Sequence, residues 1–342
     1  MLATTIHGPG DIRWEQVPDP SLQAPSDVIV RVVVGCLCGS DLWRYRGFVR
    51  LPAGTTMGHE CIGEVVEVGA AVERVAIGDI VIVPFVHGCG ACPNCLAGMP
   101  SACTTSAFTT TGQAEFARVA HADAALTRIG TAAEPPDSAS LPSLLALTDV
   151  MATGWHAAVS AGVEPGATAV VVGDGAVGLC AVIAASVLGA GRVVALSRNP
   201  ARQALAEAFG ATDILPERGD AAIDRVRELT GGIGADAVLE CVGTTESFET
   251  AFAIARPASR VGFVGVPADV DAFPIRRAFE GNIGLAGGMA PVQAYLPTLL
   301  ELVRSGRIDP GRVFDLELPM SDAAAGYVEM DERRAVKVLL RP

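Results

Sequence analysis

Four cysteines of this 342-residue chain, Cys89, Cys92, Cys95 and Cys103, fall within fifteen residues as C-x2-C-x2-C-x7-C. In a loop broken by Gly88, Gly90, Pro93, Gly98 and Pro100, four thiolates can surround one ion at Zn–S distances of about 2.3 Å, a closed tetrahedral structural zinc site. The spacing suits an iron–sulfur cluster less well. A second set of ligand types is scattered along the chain. Cys38 opens Cys-Gly-Ser-Asp, His59 and Glu60 follow twenty-one residues later in Gly-His-Glu, and Asp149 lies far downstream in LTDVMATG. A thiolate, an imidazole and a carboxylate drawn together from distant segments would suit a catalytic zinc, which keeps one position exchangeable. Ser40, two residues past Cys38, would set its hydroxyl beside an oxygen held at that position.

The third chemical motif is VVVGDGAVG. Gly173, Gly175 and Gly178 form G-x-G-x-x-G directly after an expected strand and at the start of an expected helix. The first glycine permits a tight turn, the second admits a pyrophosphate to the backbone, and the third lets helix pack closely on strand. Ala176 and Val177 then bring the amides of a helix N-terminus, whose partial positive charge favours phosphate. About twenty residues on, an acidic residue would select NAD. Here the strand ends in Ser197, followed by Arg198 and, one turn into the next helix, Arg202. A neutral donor with two guanidinium groups predicts NADP(H) instead. Thr153, Val242, Gly265, Val266 and Lys337 are the further expected cofactor contacts, Lys337 reaching the pyrophosphate.

These motifs need a scaffold, and the composition limits which kind. With 25 basic against 38 acidic side chains the formal net charge is −13, which argues against nucleic acid or an anionic membrane surface as partner. The mean hydropathy is +0.40, yet the longest uncharged apolar run, between Asp174 and Arg192, is seventeen residues, short of the roughly 20 that span a bilayer. Residues Met1 to Gly10 show no basic region followed by an apolar core, so a cytoplasmic location is expected. Nine cysteines in a chain of this size do not read as a disulfide framework, and Cys36, Cys61, Cys180 and Cys241 sit in apolar runs as packing residues.

From Asp27 to about Arg128, short β-rich runs alternate with glycines: Val28 to Val34, Gly63 to Val68, Asp79 to Phe85 and Ala114 to Val119. This predicts a compact, mostly-β domain. After Leu141 the period changes. Strands are expected at Thr168 to Val172, Arg192 to Leu196, Ala237 to Cys241, Arg260 to Val264 and Ile283 to Ala286, with a weaker one at Thr212 to Leu215. Helices such as Ala176 to Leu188, Pro200 to Phe209 and Ala221 to Leu229 fill the intervals. Such alternation predicts an α/β, doubly wound parallel sheet. The expected domains are 1–150 with 290–342, and 151–289, the last strand, Val336 to Leu340, returning to the first domain.

Taken together, Cys38-Gly-Ser-Asp41, Gly58-His-Glu60, the four-cysteine loop, Asp149 with Thr153-Gly154 and the glycine motif occur in the order found in the zinc-dependent medium-chain alcohol dehydrogenases, which the chain resembles over essentially its whole length. The resemblance implies a GroES-like mostly-β catalytic domain, a Rossmann cofactor domain with the active site in the cleft between them, two zinc ions per chain, and a homodimer or homotetramer. By position it makes Cys38, His59 and Asp149 the catalytic zinc ligands and Glu60 an exchangeable ligand or near neighbour. Asp41 would orient His59, as carboxylates do for zinc histidines. The implied reaction is reversible: an alcohol gives its proton to Ser40 and its hydride to C4 of the nicotinamide. Zinc with one thiolate and two carboxylates carries about −1, so Glu60 is expected to yield its place to substrate or water. Trp43 stands where relatives often carry a relay histidine. With Tyr45 and Trp155, it favours an apolar or aromatic alcohol. A polyol dehydrogenase or biosynthetic reductase of the same fold is the alternative enzyme, and a non-catalytic dinucleotide sensor the alternative class.

Overall fold

The computed structural model describes residues 1–268, 270 and 272–342. The chain divides into two compact units, Met1–Ala152 with Pro291–Pro342, and Thr153–Ala290.

The first unit begins with strands β1 (Leu2–Gly8) and β2 (Asp11–Gln16), an antiparallel hairpin. Next come β3 (Val28–Cys36), the two-residue β4 (Thr55–Thr56), β5 (Cys61–Val68) and β6 (Asp79–Val83). Two more two-residue strands, β7 (Val86–His87) and β8 (Ala107–Phe108), pair beside the cysteine loop, and β9 (Phe116–Val119) and β10 (Thr127–Thr131) follow. The long strand β3 is buried along most of its length. Val28, Val30 and Val32 enter a core with Cys61, Val65, Val81 and Val119, while Arg31 stays exposed. The hairpin β1–β2 was not anticipated. Its first strand buries Thr4 and Thr5 completely, so the polar threonines broke the apolar run that marks a strand.

The second unit holds β11 (Thr168–Val172), β12 (Arg192–Leu196), β13 (Asp213–Leu215), β14 (Ala235–Glu240), β15 (Ala255–Phe263) and β16 (Gly284–Gly287), all parallel. Their spatial order, β13-β12-β11-β14-β15-β16, reverses direction between β11 and β14, the topological switch point at which doubly wound folds bind ligands. The apolar runs TAVVV and RVVAL are buried on one face by the helix Ala176–Val187 and on the other by the helices Gly219–Leu229 and Thr245–Ile254, as continuous apolar strands require.

The chain then re-enters the first unit. Strands β17 (Phe314–Pro319) and β18 (Lys337–Arg341) pair in parallel, and β18 joins β3, giving the order β10-β6-β5-β3-β18-β17. Among the described residues, no helix is long and apolar enough to cross a membrane.

Candidate active site

In the first unit, Cys38 sits in the turn that leaves β3, held where the amide of Leu37 donates to the carbonyl of Val338 on β18. His59 and Glu60 immediately precede β5, after Gly58, whose φ of 93° and close approach to the Gln113 backbone exclude any side chain. Asp149 immediately precedes the helix Val150–Ala161. These segments place one ligand atom each of Cys38, His59, Glu60 and Asp149 within 4.8 Å of one another. The His59 Nε2 lies 3.3 Å from Asp149 Oδ2, and the Cys38 sulfur 3.8 Å from the same oxygen.

The chemistry of this donor set fits a divalent cation. A thiol and two carboxyl groups share a space in which Cys38 and Glu60 are buried, and the Oε2 of Glu60 has no hydrogen-bond partner. Burial and the Glu60 carboxylate push the Cys38 thiol up from its ordinary value. Burial likewise opposes charge on His59, but Cys38 and Asp41 hold it well above the usual histidine range. A cluster that raises both its thiol and its imidazole is short of positive charge, which a divalent ion would supply.

Asp41 opens the short helix Asp41–Tyr45 and is 1% exposed. Its Oδ1 lies 3.5 Å from His59 Nδ1, the nitrogen that faces away from the cluster, and its Oδ2 accepts from the Cys38 amide and from Gln113 Nε2, both at 3.1 Å. Burial works against the Asp41 charge, yet His59 and Arg44 keep its carboxyl below the usual range. Gln113 in turn accepts from the hydroxyl of the fully buried Tyr327 at 3.2 Å. Nothing in the sequence marked Gln113 or Tyr327. Ser40 is half-buried at the start of the same helix.

Lys337 requires a correction. Expected at the cofactor pyrophosphate, it lies 1% exposed on β18, donating from Nζ to Glu60 Oε1 at 2.7 Å and to the Leu37 carbonyl at 2.9 Å. Its strand pairs with β3 in the first unit, where the buried Glu60 carboxylate and the Leu37 carbonyl take its ammonium. Of the expected pocket aromatics, Tyr45 packs on Tyr327 with centroids 5.5 Å apart and Trp43 meets Phe48 edge-on at 5.3 Å, whereas Trp155 is buried within the second unit.

The four-cysteine loop also converges. Cys92 and Cys103 sulfurs lie 3.8 Å apart, the edge of a tetrahedron with Zn–S bonds of about 2.3 Å. The amides of Cys89 and Thr105 point at the Cys103 sulfur, and the Cys92 amide at that of Cys89. Backbone donors bring the Cys92 thiol down to about 6, while desolvation pushes Cys95 up to about 12. Four such groups become thiolates together only around a cation. His87, two residues upstream, is not one of this cluster: its Nε2 meets Thr109 Oγ1 at 2.8 Å and its Nδ1 accepts from the Ala120 amide.

In the second unit, Gly173 follows β11 with φ 118°, a value that disfavours any side chain. A Cβ on Gly178 would stand 2.0 Å from the Gly173 carbonyl oxygen, so the helix can start this close only with glycine there. A Cβ on Gly175 would meet nothing within 4 Å, leaving an open cradle above the amides of Ala176 and Val177, and no side chain caps the helix. The donors and the cradle fit a pyrophosphate. Val242 lies against Gly173, and Gly265 against Gly243, with Val266 exposed beside them at the carboxyl ends of the strands. Glu240 holds this corner: its Oε1 accepts from the amides of Val242 and Gly243 and from Ser247, and burial raises its carboxyl above the usual range. Thr153 is buried in the helix Val150–Ala161. Arg198 is exposed, whereas Ser197 and Arg202 are buried and both turn to Asp174. Asp174 stood at an unspecified position of the glycine motif and carried no expectation.

Comparison with known proteins gives a concordant picture. Residues 24–129 match the alcohol dehydrogenase GroES-like domain, and residues 176–305 the zinc-binding dehydrogenase domain. A Mycobacterium tuberculosis protein described as a probable zinc-binding alcohol dehydrogenase is 37% identical, the match covering 100% of this chain and 89% of that one. Zinc-type alcohol dehydrogenase B of Aspergillus flavus is 33% identical, with 100% and 81% covered. Among solved structures, alcohol dehydrogenase TADH from Thermus sp. ATN1 superposes with a TM-score of 0.89 at 33% identity, covering 100% of this chain and 99% of that one.

Proposed function

This chain belongs to the zinc-dependent medium-chain alcohol dehydrogenase family, and on that premise we propose that it catalyses reversible hydride transfer between NADP(H) and an apolar or aromatic alcohol or the corresponding aldehyde or ketone. The observation that carries this reading is the convergence of Cys38, His59, Glu60 and Asp149 within 4.8 Å, two residues from the Ser40 hydroxyl.

Zinc, which Cys38, His59 and Asp149 would hold, would supply a Lewis acid toward an alcohol or carbonyl oxygen, and a bound nicotinamide would supply or accept the hydride. Ser40 takes the alcohol proton and returns it in reduction. Asp41 keeps the His59 ring oriented through Nδ1, leaving Nε2 for the metal. Glu60, anchored by Lys337, stands beside the ligands as the exchangeable group. Cys89, Cys92, Cys95 and Cys103 would hold a second, structural zinc. A dinucleotide sensor without turnover would have no use for a thiolate, an imidazole and carboxylates gathered around one point with a hydroxyl alongside.

Preference for NADP(H) is supported by the neutral Ser197 at the end of β12 and the exposed guanidinium of Arg198 beside it. An oligomer of like chains is supported by the exposed Ile275 and Phe279, at 67% and 82%, on the helix Ile275–Gly281 that leads into the edge strand β16. The test is an absorbance screen at the reduced-nicotinamide band, with primary, secondary, aromatic and polyol substrates and both cofactors. Turnover of apolar or aromatic alcohols with higher kcat/KM for NADP than for NAD is expected. A polyol preference or a higher kcat/KM with NAD would reject the corresponding part of the reading.

A further inference from the structure

The second unit brings a carboxylate to its nucleotide corner by an unusual route. No acidic residue ends β12, but Asp174, between the first two glycines of the loop after β11, reaches across to that strand end. It is 6% exposed. Its Oδ2 accepts from the Ser197 hydroxyl at 2.9 Å, its Oδ1 lies 3.6 Å from Arg202 Nη1, and its backbone oxygen accepts from the same nitrogen at 3.1 Å. Arg202 is itself 5% exposed, so this pair meets away from water, where charge is felt strongly.

The neighbouring contacts hold the arrangement in place. Asn199 caps the helix Pro200–Ala208, accepting from the Ala201 and Arg202 amides, and Gln203 Nε2 donates to the Ser197 carbonyl at 2.7 Å. Both polar side chains expected to meet a ribose 2′-substituent, Ser197 and Arg202, are thereby engaged by Asp174, and the exposed Arg198 adds the remaining positive charge. The formal charge of the corner is +1 from Asp174, Arg202 and Arg198 together, rather than the +2 that the two arginines alone would give.

We propose that Asp174 is a specificity-determining residue for the nicotinamide cofactor: by neutralising Arg202 and engaging Ser197, it limits the affinity of the corner for a 2′-phosphate and so sets the ratio of NADP(H) to NAD(H) binding. The inference rests on reading the glycine loop as a dinucleotide site. It differs from the usual acidic determinant in its direction of action, since this carboxylate works through an arginine and a serine.

The experiment is equilibrium titration of the purified protein with NADPH and NADH, followed by reduced-nicotinamide fluorescence, with no substrate present. Asp174→Asn is expected to tighten NADPH binding about tenfold while changing NADH less than about threefold, the effect of removing one negative charge near a phosphate at partly solvated range. Arg202→Gln, which removes the guanidinium beside Asp174, is expected to move the ratio the other way by a similar factor. Opposite shifts in the two variants support the assignment. An unchanged ratio in both, or equal changes for both cofactors, overturns the role of Asp174 while leaving the dinucleotide site standing. Absence of binding by the unaltered protein overturns both.

Discussion

Lys337 and Glu60, 277 residues apart in the chain, meet at 2.7 Å with 1% and 0% of their side chains exposed. Burial opposes the charge on Lys337, but the neighbouring Cys36 and Glu60 hold it well above the ordinary lysine range. The pair changes the charge of the metal cluster. A divalent ion with one thiolate and two carboxylates sums to about −1, and the lysine brings the total to about zero. With Lys337 as a standing partner, Glu60 would not depend on a bound ion, which is the property an exchangeable ligand needs.

Lys337→Met leaves a buried carboxylate uncompensated. Unfolding in denaturant should show a loss of about 3–5 kcal/mol, the cost of breaking a buried pair from one side. Adding Glu60→Gln to the same chain should recover much of that loss. A Lys337→Met variant as stable as the parent would show that the pair contributes nothing to the fold.

Gln113 links Tyr327 to Asp41 and through it to His59. Gln113→Leu removes a partner from the buried Tyr327 hydroxyl, the Asp41 carboxylate and the Cys36 carbonyl, and should cost about 1–3 kcal/mol. If zinc occupies the cluster, chelator competition should also show its affinity falling by roughly 10- to 100-fold, the usual effect of disturbing a group behind a ligating histidine. Tyr327→Phe, which removes only the outermost bond, should give a smaller change in both measurements.

His87 gives stability a pH dependence of predictable sign. Burial lowers its imidazole to about 4 from an ordinary 6.5, so between those values the unfolded chain binds a proton that the folded chain refuses. Stability is unaffected by this group above pH 6.5 and declines as the pH falls toward 4. At about 1.4 kcal/mol per pH unit, the total reaches about 3 kcal/mol. Denaturant midpoints across this range should fall more steeply for the parent than for His87→Gln.

Metal analysis separates the two clusters. The parent should hold two zinc ions per chain. Cys89→Ser should lose one of them together with thermal stability, because a closed four-thiolate site contributes directly to folding. Cys38→Ser should lose hydride transfer while retaining the structural ion and a melting temperature close to that of the parent. The opposite pattern would exchange the roles assigned to the two clusters.

The parts of this molecule legible in its sequence are those whose partners lie close along the chain. The strands Thr168–Val172 and Arg192–Leu196 were bounded to the residue, because glycines and charged residues flank unbroken apolar runs. The cysteine loop and the glycine motif were visible for the same reason: their geometry is encoded within fifteen residues or fewer. Gln113 and Tyr327 were invisible. They act on partners 72 and 214 residues away, and neither has a spacing that points to its role. Lys337 was noticed but misplaced, since only the insertion of β18 beside β3 shows which way it faces. Asp174 was hidden in plain view, at a motif position where any residue type is allowed.

The placement of β18 has a bearing on how the protein is made. The sheet of the first unit has β18 between β3 and β17, yet the whole second unit is translated between β10 and these two strands. Domains tend to fold as units while synthesis proceeds. The second unit is contiguous and has its own core, so it can close on the ribosome while the first still lacks two of its strands. Through that interval Glu60 has no Lys337 to meet, and Cys38 no Val338 carbonyl anchoring the residue before it. The nascent chain can thus complete its second unit before its ligand cluster settles, and the late arrival of one strand sets the earliest moment at which Glu60 meets Lys337.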